Sequence, residues 1–301
     1  MIIGNMETKK GLTSIIVAAY NAGPYIGAAI DSALAQTYHP IEIIVVNDGS
    51  TDDTERVLAP YAERKDIIYI RQENKGPSAA RNLAIGHSHG EFIAFLDADD
   101  TFMPEKVEKQ AGFLIAHPEY GFTYSGVWHY EEEHSEKFMR LGGNYYSDGD
   151  VLPGLLEKNF IITLSVLLRR SAFDLAGLFD ETRRRSEDWE LWFRLASHGV
   201  RFKYIDEPLA KCRLHAGSLS RGDDGWGTKV KERRSILTLV QEFYRSMTPA
   251  ERRAAHAGFF VFKHRLKLWY VIAGNRFPPL RWLADAIQAR RWGTVAPEAV
   301  I

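Results

Sequence analysis

The first hundred residues alternate short, unbroken apolar runs with segments of helical period, and that alternation restricts the chain to few architectures. Residues 13–19, 41–47, 67–71 and 92–96 have the length and composition of strands. Three of these runs lack polar alternation, the mark of a sheet covered on both faces. Between the first two, Ile26, Ala29, Ile30, Ala33 and Leu34 recur at helical spacing and predict a helix packed on that sheet. Residues 52–64 and 78–86 predict two shorter helices. Strand–helix alternation of this kind requires right-handed crossovers and hence an α/β fold with a mostly parallel central sheet flanked by helices.

In open parallel sheets, ligands bind outside the carboxyl ends of the strands. Here those ends run into Tyr20-Asn21-Ala22-Gly23, Asp48-Gly49-Ser50 and Asp97-Ala98-Asp99-Asp100, while the third leads through Arg71 and Asn74 to Gly76-Pro77-Ser78 at a helix start. Turn-forming, polar and acidic residues gather on one rim, which marks it as the binding edge.

The acidic residues suggest chemistry. Asp97 and Asp99 follow a buried strand that fixes their carboxylates, and such hard oxygen ligands suit Mg²⁺ or Mn²⁺ completed by phosphate oxygens. The alternative is a turn or helix cap. Asp48 closes a turn and offers a carboxylate to a base or ribose. Glu187 and Asp188 occupy the first turn of a helix predicted over 186–198 and capped by Ser186. The helix dipole favours carboxylates there and keeps a general base ionised. His215, just after a strand that ends near Arg213-Leu214, is either structural or a further metal ligand.

Beyond Pro104 the pattern loosens. Residues 131–150 read as a long loop or hairpin, 152–158 as a helix and 161–168 as an apolar strand. Tyr124, Trp128 and Tyr130 suit either the core or a sugar face. After residue 220 the chain turns to basic, aromatic-rich helices. From Trp226 to Trp292 there are 14 Lys/Arg against 4 Asp/Glu, within a chain whose net charge is only −1. The amphipathic stretch 259–272 leaves three readings open: peripheral membrane contact, a cap on the main domain, or a homodimer surface. Nothing points to nucleic acid.

At 301 residues, 45% hydrophobic and 26% charged, the chain suits a main globular domain plus a smaller appendage and excludes wholesale disorder. The single Cys212 excludes an intrachain disulfide and suits a reducing compartment. Residues 1–10 hold no apolar core of signal-peptide length, and no uninterrupted apolar run reaches the roughly 18 residues that would span a bilayer. The expected location is the cytoplasm, with the inner face of the membrane as the site of any peripheral contact.

Taken together, residues 12–220 resemble the GT-A fold glycosyltransferases of family 2. The stretch SIIVAAYNAGPYIGAAIDSALAQTYHPIEIIVVNDGSTDDT is similar to that family's nucleotide-binding half. GPSAARNLAI, FLDADD, SEDWELWFRL and CRLHAGSLS follow as four further blocks in the family's order. The resemblance implies a GT-A, Rossmann-like catalytic domain over 1–220, divided into a nucleotide-binding half (12–104) and an acceptor half (105–220), with a basic helical region over 221–301. It implies that Ala19, Tyr20, Asp48 and Asp97 contact the nucleoside and that Gly76, Ser78 and Arg81 line the donor site. It further implies that Asp99, aided by His215, holds Mn²⁺ or Mg²⁺, and that Asp188 is the catalytic base.

The implied reaction is inverting transfer of a single sugar from a nucleotide-sugar, a UDP-sugar foremost, to a glycan or lipid-linked acceptor. The departures are Cys212 in place of the usual Tyr and Gly177-Leu178-Phe179 before Asp180. Gln288–Trp292 also fits the Q-x-x-R-W string of processive synthases, but lies a hundred residues after Asp188 and without membrane helices. A nucleotidyltransferase would carry a basic, glycine-rich loop where residues 20–25 hold no basic residue. An inactive nucleotide-sugar-binding module is the remaining alternative.

Overall fold

The computed structural model describes residues 8–131, 135–139, 148–149, 151–155, 159–183 and 185–214, together with the helical positions Thr238, Gln241, Arg245 and Pro249. The chain divides into two compact units. One comprises Met1–Arg140, Ser147–Val151 and Ile161–Gly222; the other comprises Leu141–Tyr146, Leu152–Phe160 and Asp223–Ile301. In the second unit, the described part is the helix α5 (Leu152–Leu155), Asn159, Phe160 and the four helical positions. His215, the stretch 259–272 and Gln288–Trp292 lie outside the described residues.

The first unit is built on one sheet. Its parallel part has the order β3 (Ile68–Arg71), β2 (Ile41–Asn47), β1 (Lys9–Ala19), β4 (Gly90–Asp97). Ile15, Val17, Val45, Phe92, Ala94 and Leu96 are fully buried, as strands covered on both faces require. The register levels the strand ends: Ala19 pairs with Asn47, Ala18 with Asp97 and Asn47 with Arg71. The turns that follow therefore emerge along one edge. Helix α1 (Ile26–Leu34) buries Ile26, Ala29, Ile30 and Ala33. Leu34, the last residue of the expected stripe, is exposed because the helix ends there and the chain turns toward β2. Helices α2 (Thr54–Glu63) and α3 (Pro77–Gly86) fill the remaining crossovers.

Past β4 the sheet becomes mixed. The short β5 (Thr101–Phe102) and helix α4 (Lys106–Ala116) precede β6 (Phe122–Glu131), which pairs with the hairpin strand β7 (Ser135–Met139). Beyond β4 the order runs β8 (Leu167–Arg169), β6, β9 (Phe202–Leu214), β5, with β6 and β9 parallel and the other neighbours antiparallel. Helices α6 (Ala172–Ala176) and α7 (Glu187–Ser197) lie between β8 and β9 in sequence.

Two local expectations are corrected. The apolar run 161–168 is not one strand: Thr163–Ser165 form a buried 3-10 turn, and pairing starts at Leu167. Thr163 and Ser165 alternate with Leu164 at the period of a strand, so the short run gives a turn and a strand the same signature. Ser186 does precede α7, but its φ of 54° and ψ of 25° are left-handed and its side chain makes no cap bond. Side-chain capping requires an extended residue at that position.

Candidate active site at the rim of the parallel strands

Asp48 follows β2 by one residue and is 3% exposed. Its N–H donates to the Ala19 carbonyl at 2.8 Å, which ties it to the end of β1. Its Oδ1 accepts from Gln72 Nε2 at 2.6 Å and from Lys75 N–H at 2.9 Å, and its Oδ2 accepts from Gly76 N–H at 2.8 Å. The carboxylate thus shapes the segment leading from β3 into α3. Gly49, at φ 75°, passes so close to this segment that a Cβ would lie 2.8 Å from Asn74 N. Only glycine allows that approach. An open cavity of about 520 Å³ beside the turn is lined by Gly49, Arg71, Gln72, Glu73 and Asn74.

At the end of β4, Arg81 of α3 joins two carboxylates. Its guanidinium donates to Asp97 Oδ1 at 2.9 Å and to Glu187 Oε1 at 2.9 Å, with its side chain 9% exposed. Burial alone would lower its pKa; Asp97 and then Glu187 reverse that effect and hold the group charged. Asp100 is buried, and its carboxyl is pushed well above the usual range by burial and by the charges of Asp97 and Asp99. Arg213 N–H opposes this by donating to Asp100 Oδ1 at 2.7 Å. The Cys212 thiol is pushed up by burial and by Asp100. The Arg213 guanidinium lies over the rings of Tyr25 and Tyr130 at 5.1 and 4.8 Å, and its Nε donates to the Asp99 carbonyl at 3.3 Å. Tyr124 is a core residue at 1% exposure, whereas Trp128 and Tyr130 are half-buried.

Asp188 stands on the first turn of α7, directly after the Glu187 that Arg81 holds. Its Oδ2 accepts from the Thr163 hydroxyl at 3.2 Å and its Oδ1 from Trp189 N–H at 2.6 Å. The helix is secured from behind by Arg194, which pairs with Glu190 and donates to the carbonyls of Ala176 and Leu178. Asn82 of α3 holds Phe179 through its amide, donating to the Phe179 carbonyl and accepting from its N–H at 2.9 and 3.0 Å.

Of the residues singled out from sequence, Asp97 and Arg81 meet directly, and Asp188 follows Glu187, the second partner of Arg81. Asp48 and Gly76 meet at the other end of the rim. Ala19 is buried at the end of β1, and Tyr20 beyond it is exposed. Ser78 is buried at the start of α3, with no partner for its Oγ among the described residues. Also among the described residues, no three His, Cys, Asp or Glu side chains converge as a metal site, and no helix is long and apolar enough to cross a membrane. The sequence gives Gln72 and Thr163 no role, since both stand outside the motifs, and places Glu187 only among the acidic residues of a first helical turn.

The fold is that of the GT-A glycosyltransferases. Residues 1–349 of S. aureus TarS, solved in complex with UDP-GlcNAc, superpose with a TM-score of 0.65 at 20% identity, covering 82% of this chain and 71% of that one. The Pyrobaculum calidifontis mannosyltransferase solved with GDP-Man and Mn²⁺ does so at 0.60 and 18% identity, covering 93% and 80%. The model of glycosyl transferase family 2 matches residues 14–175, and the chain belongs to that family. An uncharacterized glycosyltransferase of Rickettsia typhi is 37% identical over 213 residues, which are 69% of this chain and 66% of the relative. Escherichia coli WfaP, a UDP-Glc:α-D-GlcNAc-diphosphoundecaprenol β-1,3-glucosyltransferase, is 32% identical over 211 residues, covering 69% of this chain and 80% of WfaP. Across the first five relatives, the match spans between 29% and 74% of the relative's length.

Proposed function

We propose that the chain transfers a single sugar, with inversion, from a nucleoside-diphosphate sugar to a hydroxyl of a glycan or lipid-linked acceptor in cell-surface polysaccharide synthesis. The observation that carries this reading is Arg81, whose one buried guanidinium ties Asp97 at the end of β4 to Glu187 beside Asp188. The strand end that carries Asp97 is thereby tied to the helix start that carries Asp188, which supports this reading. The UDP-sugar donor and the lipid-linked acceptor in the name of WfaP favour those two classes here.

In this reading the nucleoside lies along Ala19, Tyr20, Asp48 and Asp97, with Gly76, Ser78 and Arg81 bounding the donor site. The acceptor oxygen attacks the anomeric carbon from the side opposite the diphosphate. Asp188 takes the hydroxyl proton, the new C–O bond forms, and the bond to the diphosphate oxygen breaks with its electron pair on the leaving nucleoside diphosphate. Attack on that face inverts the anomeric centre. The hard carboxylate oxygens of the Asp97–Asp99 turn fit Mn²⁺ or Mg²⁺, which needs few protein ligands when phosphate oxygens complete its shell. Asp99 and His215 would hold it. When bound, the cation offsets the charge developing on the departing diphosphate.

Residues 1–220 form the catalytic domain in this reading. The basic region 221–301 serves as a cap on that domain, as a contact with a second copy or as a contact with the inner face of the membrane, and the enzyme works in the cytoplasm. Asp188→Asn tests the chemistry. Transfer should fall by about a thousandfold, in the range of a general base's contribution, with UDP-sugar affinity kept within about twofold of wild type. Near-native turnover would remove Asp188 from the mechanism.

A further inference from the structure

The candidate base is held from a part of the chain that no motif marks. Thr163, whose hydroxyl donates to Asp188 Oδ2 at 3.2 Å, opens the 3-10 turn Thr163–Ser165, which is buried throughout. That turn rests on two polar side chains of α4. Gln110 Nε2 donates to the Ser165 carbonyl at 2.8 Å, and Lys106 Nζ donates to the neighbouring Val166 carbonyl at 3.1 Å. Lys106 also donates to Gln110 Oε1, so the pair acts as one unit.

This arrangement is costly. Lys106 and Gln110 are both fully buried. Among the described residues no carboxylate lies within ion-pair distance of Lys106; its ammonium sits 4.5 Å from the centre of the Phe102 ring instead. A buried ammonium without a counter-charge opposes folding, and apolar side chains at both positions would pack α4 against the sheet without that cost. What the polar pair adds is a fixed position for the carbonyls at the end of the turn that carries Thr163.

We propose that Thr163 is a positioning residue for glycosyl transfer, orienting the Asp188 carboxylate toward the acceptor, and that Lys106 and Gln110 hold the turn from which it does so. The inference rests on the reading of Asp188 as the base. An aspartate at a helix start can rotate about two side-chain bonds, and a base must come within hydrogen-bonding reach of the hydroxyl it deprotonates. The Thr163 hydroxyl on Oδ2, together with the Trp189 N–H on Oδ1, restricts that rotation. A supporting hydrogen bond that locks a rotamer is how a reacting group is kept within tolerance.

The test is steady-state release of UDP from a UDP-sugar, with water or a diphosphate-lipid-linked GlcNAc as acceptor, for wild type, Thr163→Val, Thr163→Ser and Asp188→Asn. Thr163→Val should lower kcat by about tenfold, the effect of one hydrogen bond to a charged group, while KM for the UDP-sugar and the melting temperature with bound UDP stay near wild type. Thr163→Ser, which keeps the hydroxyl, should restore kcat to within about twofold. Wild-type kcat in Thr163→Val, or an equal defect in the Ser variant, would overturn the positioning role. If Asp188→Asn is inactive in the same experiment, only the positioning role falls; if it is active, the reading of the base falls first.

Discussion

The parallel half of the sheet and the mixed half place their candidate carboxylates in different ways. In the parallel half, register does the work: β1, β2 and β4 end at one level, so Asp48 and the Asp97 turn emerge on a common rim from their local sequence. In the mixed half, Asp188 starts a helix, and its position depends on partners far away in the chain, Thr163 on its own carboxylate and Arg81 on its neighbour Glu187. In the proposed reading, donor-side positions are thus set by strand pairing, and the proposed base by tertiary contacts. Substitutions in the first half should change binding, and those around α7 should change turnover.

The strongest break of this comparison is at Arg81, which belongs to both halves. Arg81→Ala leaves Asp97 and Glu187 without their shared cation in a buried setting, and removing one partner of such a pair costs about 3–5 kcal/mol. The melting temperature should drop by roughly 10 °C, with binding and turnover both impaired. Arg81→Lys should rescue little, because one ammonium does not reproduce a planar fork across two carboxylates. A stable, active Arg81→Ala variant would dissolve the link between the halves.

Asp48→Asn should give a purely donor-side effect. Three N–H groups now converge on this carboxylate, and an amide nitrogen would face at least one of them. UDP affinity should fall by about tenfold by titration calorimetry, the scale of one lost charged hydrogen bond, with kcat at saturating donor little changed. Loss of kcat with affinity intact would contradict the division between the halves.

An effect on stability alone concerns Lys106, whose pKa burial lowers to about 7. The unfolded chain keeps this group near 10.5, so between those pH values the unfolded state binds more protons and the native state gains stability as pH rises. Lys106→Met removes that gain. The wild-type melting temperature minus that of the variant should therefore increase from pH 6 to pH 9 in paired thermal melts. A difference that stays flat would mean the amine is not desolvated as the geometry requires.

This contrast also explains what could be read in advance. The four strands of the parallel half and the buried stripe of α1 follow from local apolar pattern, and the rim residues follow from the strand ends. Helix α4 carries Val107, Ala111 and Leu114 at helical spacing, but Lys106 and Gln110 share its buried face and blur the stripe. The 3-10 turn at Thr163 reads as strand because Thr163 and Ser165 alternate with Leu164 inside an apolar run, which is the period of a strand. Thr163 itself gives no local signal: its role arises only when α7 packs beside it. Glu187 likewise takes its meaning from Arg81, 106 residues earlier.

The proposed activity requires a nucleoside diphosphate seated on the rim of the parallel strands. Its most direct test is the thermal stability of the full chain with UDP, GDP, dTDP or CMP, each with Mn²⁺, Mg²⁺ or EDTA, alongside Asp99→Ala. A ligand at about 100 times its Kd adds about 2.7 kcal/mol to the native state. The prediction is a clear rise in melting temperature with UDP and a divalent cation, lost in EDTA and in Asp99→Ala. No rise with any nucleotide under any of these conditions would contradict it.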